Sequence, residues 1–335
     1  MLVDVSDRPP AERAARLAEV MDGELTVRYD LEHGPLFRVT VVRTGADDHT
    51  LVLSAHHLVC DGMSFGVLQR DLGALYSEAV GAPSAPIDDP TQYAEYVAAG
   101  GAGDRVEAYW LGLYEDPPTC IDLPADASGP RPARSSTGRA RRPSDGSCSR
   151  RSNLAVDQGV TMFTVLLAGW ETCSIGCRAR PTSPAACSCR ARHPWASVSS
   201  WACAPACCRC ASDRPQSPSP AYLGRLTRST FDAFDHQHHT VAKLASALRI
   251  PREASRPTIV STVMTLETPT PGIGFAGLEA TETGSGRRRF GSFEFEAYLT
   301  ETEDDLLVDF QYVESAFERP TIERWLGCMS SSCDT

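Results

Sequence analysis

A mixed α/β protein with antiparallel strand pairing is what this sequence predicts, and three observations carry that expectation. Near the start, "GPLFRVTVVRTGADDHTLVLSAHH" holds two alternating apolar runs joined by a turn at Gly45 to His49. Directly after Gly62 the apolar period lengthens from that of a strand to that of a helix. Toward the far end, three further alternating runs follow a helical stretch. At 335 residues the chain has room for two ordinary domains or one large two-lobed one.

Taken in order, the second early strand places Leu51, Leu53, Ala55 and His57 on one face and Val52, Ser54 and His56 on the other, because successive side chains alternate. "MSFGVLQRDLGALYSEAV" then reads as a helix with Met63, Val67, Leu68, Leu72, Leu75 and Tyr76 on one stripe. A Pro-rich connection, "GAPSAPIDDP", leads to a short helix around "VEAYWLGLY". "LAVDQGVTMFTVLLAGWET" predicts a helix standing between two stretches without periodicity. "STFDAFDHQHHTVAKLASALRI" is helical with a break near Thr240, and "TIVSTVMTLE", "FGSFEFEAYL" and "DLLVDFQYV" are strands. In the middle one Phe293, Phe295 and Ala297 alternate with Glu294 and Glu296. "RPTIERWLG" opens a last helix, with Pro320 suited to its first turn.

Charge and composition narrow the function classes. With 32 basic and 43 acidic residues the formal charge is -11, which disfavours nucleic acid and anionic membrane as partners. No apolar run approaches the roughly 20 residues that cross a bilayer. The first residues, "MLVDVSDRPPAERAARLAEV", lack the basic start and apolar stretch of a signal peptide, so a cytoplasmic location is expected.

Candidate chemistry sits in "AHHLVCDGMS", where a strand ends in two histidines followed by an Asp-Gly turn into a helix. An imidazole titrating near neutrality suits proton transfer at a strand end. Taken alone, such a histidine is more often a hydrogen-bonded core residue, and Asp61 before a helix is simply a good N-cap. The His56-His57-x3-Asp61-Gly62 pattern resembles the active-site signature of the condensation domains of nonribosomal peptide synthetases, relatives of chloramphenicol acetyltransferase. Its neighbours agree: "YDLEHGPLFRVTVVR" before it, "LQRDLGALYSEA", "QYAEYV", "AYWLGLY" and "IDLPAD" after it, and "HQHHTVAKLASALRIPREASRPTIVSTVMTLE" later. The resemblance covers residues 1 to about 126, 153 to 172 and 222 to 326.

The resemblance implies two chloramphenicol-acetyltransferase-like α/β lobes, mixed sheets flanked by helices, with a substrate tunnel between them. It implies acyl transfer that forms an amide between a carrier-bound thioester donor and a carrier-bound amine acceptor. His57 would be the base, or would orient the amine or stabilise the tetrahedral intermediate; His56 would be structural. Asp61 would hold the loop through an ion pair, and Gly62 would permit the turn. Phosphopantetheine would enter on substrates rather than as a cofactor bound by the domain, and the partners would be carrier and adenylation domains of a synthetase. An ester-forming acyltransferase of the same superfamily, and a non-catalytic remnant or carrier-docking module, are the alternatives. By the same resemblance residues 1–126 form an N-terminal lobe that lacks its opening elements, 127–152 a linker, and 153–335 the C-terminal lobe. The cluster His236, His238 and His239 lacks the spacing of an ordinary zinc site and reads as a solvated helix end, so no metal is expected.

Thirteen cysteines remain to be explained, nine of them between Cys148 and Cys210. Their spacings lack a repeated two-residue zinc knuckle, and a secreted disulfide scaffold would spread its bridges. Cysteine and tryptophan codons both begin TG, so a frame moved by two bases converts each into the end of an NTG codon for Leu, Met or Val. "SWACAPACCRCAS" in that frame can spell a run resembling the family's Val-Gly to Leu-Pro-x-Arg strand. "GCMSSSCDT" and residues 134 to 152 permit similar readings. A shifted reading frame is therefore expected over 173–220 and within 127–152, with loss of stability or activity; a Cys-rich insertion binding zinc is the rival.

Overall fold

The early alternating runs form a three-stranded sheet. β1 (Leu2–Asp4) pairs in parallel with β2 (Phe37–Arg43), which pairs antiparallel with β3 (His49–Ala55). Helix α1 (Pro10–Thr26) starts on a proline and packs on this sheet, where its Val20 is buried with Val5 and Val42. Glu24, near the end of α1, accepts hydrogen bonds from Ser54 Oγ at 2.7 Å, Thr40 Oγ1 at 3.1 Å and Arg38 Nε at 3.1 Å, and so ties the helix to two strands. The opposite pleat of the sheet carries Phe37, Val39 and Leu51, each more than a third exposed.

This computed structural model describes residues 1–87, 89–99, 104–113, 125–126, 136–144, 147–176, 188–189, 202–203, 219–237, 239–250, 262–267, 274–281, 293–302 and 305–331. They belong to two compact units, one of residues 1–89, 194–199 and 270–289, the other of the remainder. The first unit also holds α2 (Gly62–Ala79). Val67 and Leu75 of the expected apolar stripe are exposed. Instead Ser77 is buried; its Oγ donates to the Gly73 carbonyl at 2.8 Å and accepts from the Ala276 amide at 3.2 Å, while Tyr76 meets Phe275 edge-on.

The second unit begins with α3 (Tyr93–Ala99) and α4 (Asp104–Leu113). These were expected in the first lobe, but Trp110 of α4 is 2% exposed in the second unit's core and its Nε1 donates to the His236 carbonyl at 2.7 Å. Next come β4 (Thr137–Pro143), α5 (Ser147–Gln158), α6 (Met162–Gly176), and the two-residue strands β5 (Ser188–Cys189) and β6 (Ala202–Cys203), which pair with each other. The single helix expected around residues 154 to 172 is thus two. Gly159 adopts φ +63, its amide donates to the Val156 carbonyl and the Val160 amide to Ala155, closing α5; Thr161 Oγ1 then accepts from the Thr164 amide to open α6.

The unit is completed by α7 (Pro220–Asp235), α8 (Val241–Ala247), β7 (Thr262–Glu267), β8 (Phe295–Glu301), β9 (Leu306–Val313) and α9 (Arg319–Ser331). The break near Thr240 is present, with Thr240 Oγ1 accepting from the Lys243 amide at 3.3 Å. The four-stranded sheet runs β4-β9-β8-β7. Its β7–β8 pair is parallel and the others antiparallel, so the sheet is mixed, as the fold class implied, and the antiparallel pairing read from the far-end strands does not extend to β7–β8; β1, parallel to β2, was not read as a strand. Parallel neighbours require a crossover, which no local pattern announces. Trp170 of α6 stacks on Phe295 with centroids 5.1 Å apart, and Phe310 and Trp325 meet Phe295 edge-on, forming the centre of the core. Glu294 and Glu296, expected on the polar face of β8, are each 3% exposed.

The stretch expected as a linker carries a strand and the start of a helix. Gly138 lies under the Tyr312 ring with no room for a Cβ, Ala140 is 3% exposed, and Arg139 Nε donates to both oxygens of Asp309 at 2.8 and 2.9 Å. Of the stretch with the expected frame shift, residues 177–187, 190–201 and 204–218 lie outside the described residues. Among the described residues no helix is long and apolar enough to cross a membrane.

Candidate active site

β3 stops at Ala55, but its ladder runs one bond further, the His56 amide donating to the Leu36 carbonyl at 2.8 Å. The Val59 amide then donates to the His56 carbonyl at 3.1 Å and closes a tight turn over residues 56–59. His57 takes the second position of that turn and is exposed. Its direction is therefore set by the turn rather than by the pleat it was expected to share with Leu51 and Leu53. The flanking Leu58 and Val59 are 66% and 53% exposed, so the turn presents apolar side chains beside an imidazole.

His56 is half-buried and held twice. The Leu58 amide donates to its Nδ1 at 3.1 Å, and the Tyr29 ring meets the imidazole edge-on, with centroids 5.7 Å apart and planes at 75°. Tyr29 is carried by the turn that follows it. Asp30 Oδ1 accepts from the Glu32 and His33 amides at 3.0 and 3.1 Å, and the Asp30 carbonyl accepts from Gly34, whose φ is +70. The bonds to the carboxylate, from the His33 amide first, then the His33 ring and the Glu32 amide, hold the exposed Asp30 carboxyl below its ordinary value.

Asp61 is 5% exposed and caps α2. Its Oδ1 accepts from the Ser64 amide at 2.8 Å and from the Ser64 hydroxyl at 2.7 Å, while its own amide donates to Ser64 Oγ at 3.1 Å, a reciprocal capping box. The ion pair expected of Asp61 is absent among the described residues; the plain N-cap reading describes its contacts. Gly62 is the first residue of the helix so capped. Beside it Cys60 is 7% exposed, and burial, with the neighbouring Asp61 charge, pushes its thiol up against the opposing Ser64 hydrogen bond. A thiol held protonated in this way is a packing residue rather than a nucleophile.

Tyr29 and Ser64 were missed in the sequence. Ser64 had a signal, since an oxygen-bearing residue three positions after an N-cap is the capping-box spacing. Tyr29 had none beyond its place in "YDLEHGP", because its contact with His56 spans two turns and two strands. His239, expected at a solvated helix end, is 7% exposed; burial lowers its pKa, Glu107 acting against this and Lys243 with it. Its neighbour His236 stacks on Tyr109 with centroids 3.9 Å apart, and His238 lies outside the described residues. Packing of α4 against this segment is what buries the pair. Among the described residues no cluster of three His, Cys, Asp or Glu side chains is placed to hold a metal ion.

The family model described as "Condensation domain" matches residues 1–173, just over half of the chain. The chain belongs to the condensation-domain family. Malpinin synthetase of Mortierella alpina is 33% identical over 174 residues, covering 49% of this condensation domain chain and 2% of the relative. Bacitracin synthase 3 of Bacillus licheniformis is 25% identical over 316 residues, covering 89% of this chain and 5% of the relative. The condensation domain chain thus spans a small fraction of either synthetase. Among solved structures, the X-domain from teicoplanin biosynthesis superposes with a TM-score of 0.73 at 16% identity, covering all of this chain and 79% of that one. The first condensation domain of the calcium-dependent antibiotic synthetase, solved with a substrate analogue, gives 0.66 at 16% identity over 99% and 77%. At such identities the likeness establishes the fold, which is that of the chloramphenicol-acetyltransferase-like condensation domains.

Proposed function

We propose that this domain forms an amide between an acyl or aminoacyl group held as a phosphopantetheine thioester on one carrier domain and the amine held on a second. The amine nitrogen attacks the thioester carbonyl, the tetrahedral intermediate expels the thiolate, and the nitrogen loses a proton. His57 receives or orients that proton. The observation that supports this reading is the exposed turn that presents His57 between the half-buried His56 and the buried Cys60 and Asp61. Carrier and adenylation domains of a synthetase are the partners, and the phosphopantetheine arm enters with the substrates. The free thiol of Cys60 suits a reducing cytoplasm, the location that belongs to this reading. As part of the same reading, the segment 173–220 and a stretch within 127–152 carry a shifted frame, which lowers activity in the chain as written.

The test uses two carrier proteins, one loaded with alanyl and the other with glycyl phosphopantetheine, and mass spectrometry of the carrier-bound product. The chain and a version with the frame restored over 173–220 are compared. Alanylglycyl product that rises on frame restoration and disappears in His57→Ala is the expected result. Product only when the acceptor is a hydroxyacyl carrier would establish ester formation instead, and undiminished product in His57→Ala would remove that residue from the chemistry.

A further inference from the structure

Between the buried Asp61 cap and the exposed His57 stands a half-buried imidazole whose hydrogen bond fixes its chemical form. The Leu58 amide is a donor, so the His56 Nδ1 that it meets at 3.1 Å must hold a lone pair. His56 is then the neutral tautomer with its proton on Nε2. That single bond, together with the Val59-to-His56 bond, closes the turn on which His57 rides. Rotation of the His56 ring, or a proton on Nδ1, opens it. Something must therefore hold the ring, and the side chain placed to do so is Tyr29, edge-on at 5.7 Å. Among the described residues the buried Tyr29 hydroxyl has no hydrogen-bond partner, so it is the ring and not the hydroxyl that makes the useful contact. A buried, unsatisfied hydroxyl costs stability, so the ring contact is what this side chain supplies.

We infer that Tyr29 is a positioning residue for the transfer reaction: its ring locks the His56 imidazole as the acceptor of the Leu58 amide, and the closed turn aims His57. This rests on the amide-forming role of His57 proposed above, and it separates the two histidines by task. His56 keeps one tautomer as a structural acceptor, which leaves the proton movement of the reaction to His57.

The test is carried out on the full chain with 15N-labelled histidine, followed by NMR of the imidazole nitrogens. The wild type is expected to show an unprotonated Nδ1 and a protonated Nε2 at His56. Tyr29→Phe, which removes the unpartnered hydroxyl and keeps the ring, is expected to preserve this signature and to leave the His57 ring signals in place. Tyr29→Leu, folded by far-UV circular dichroism, is expected to lose the tautomer bias, to expose the Leu58 amide to faster hydrogen exchange and to shift the His57 signals. In the carrier assay the Leu variant should lose about tenfold in kcat at unchanged KM, and the Phe variant should match the wild type. A proton on Nδ1 in the wild type, an unchanged tautomer in Tyr29→Leu, or unfolding of that variant would each overturn the inference. Absence of any product from the frame-restored chain would overturn the amide-forming reading, while the nitrogen signals would still decide the role of Tyr29.

Discussion

At Asp61 the same carboxylate was open to two readings, an ion pair that holds a loop or a cap that starts a helix, and its contacts among the described residues are those of the cap. Both bonds to Oδ1 come from Ser64, and neither needs a full negative charge. Asp61→Ala should destabilise the chain by about 1–2 kcal/mol in urea denaturation, the cost of losing a cap. Asp61→Asn keeps an acceptor at Oδ1 and should recover most of that loss; if it is as damaging as alanine, charge rather than capping is what matters. Ser64→Ala should show a smaller loss of the same kind. The residues that carry the motif were legible because His-His-x3-Asp-Gly is local, written within seven consecutive positions. Tyr29 and the buried His239 were not, since each is defined by a neighbour brought in by another element: His56 at the end of β3, and Glu107 from α4.

Among the elements, α1 is tied to the first sheet by the Glu24 carboxylate as well as by the buried Val20. Burial by itself would raise the Glu24 carboxyl, but hydrogen bonds from Ser54, Arg38 and Thr40 and the Arg38 charge outweigh it and hold the group below its ordinary value of 4.5. The folded state thus binds this proton less readily than the unfolded chain. The stabilisation is full above about pH 4.5 and is lost as pH falls through the lower folded value. Glu24→Gln should lower stability at pH 7 by about 1–3 kcal/mol and flatten the acid limb of the stability profile measured by chemical denaturation. β4 makes a second case. Gly138→Ala places a methyl group against the Tyr312 ring and should cost about 1–3 kcal/mol, read as a lowered Tm. Strand and helix periods showed most elements of both units, but the split of α5 from α6 depended on one glycine at positive φ within an otherwise continuous helical pattern. The parallel pairings stayed illegible for a different reason: period reports which face a residue occupies, never which strand lies beside it.

For the molecule as a whole, the two units differ in how much apolar surface they gather. The first has a small buried cluster of Val5, Val20 and Val42 and leaves Phe37, Val39 and Leu51 partly exposed, whereas the second surrounds Trp170, Phe295, Phe310 and Trp325. Stability follows buried apolar area, so the unit bearing His57 should be the first to open. Hydrogen exchange should protect amides of β8 and β9 at least tenfold more than those of β2 and β3, about 1.4 kcal/mol of opening free energy. Equal protection would show that the two units open together. The net charge of -11 and the mixed α/β class were visible at once in the sequence. Where one unit gives way to the other was not, because residues 90–126 continue the family's N-terminal pattern in sequence while their tryptophan is buried in the second unit.

The order β4-β9-β8-β7 has a consequence during synthesis. β4 finds its partner across 170 positions, from Arg139 to Asp309, and the residues between them leave the ribosome first. A nascent chain therefore carries β4 unpaired, with Ala140 and Arg139 exposed, until almost the last residues of the described chain have been made. The stretch around 173–220 lies within that wait. Whatever its sequence does to apolar patterning acts while β4 still lacks β7, β8 and β9, so translation speed and chaperone supply should govern the yield of soluble chain more strongly than they do for a protein closed by local pairing.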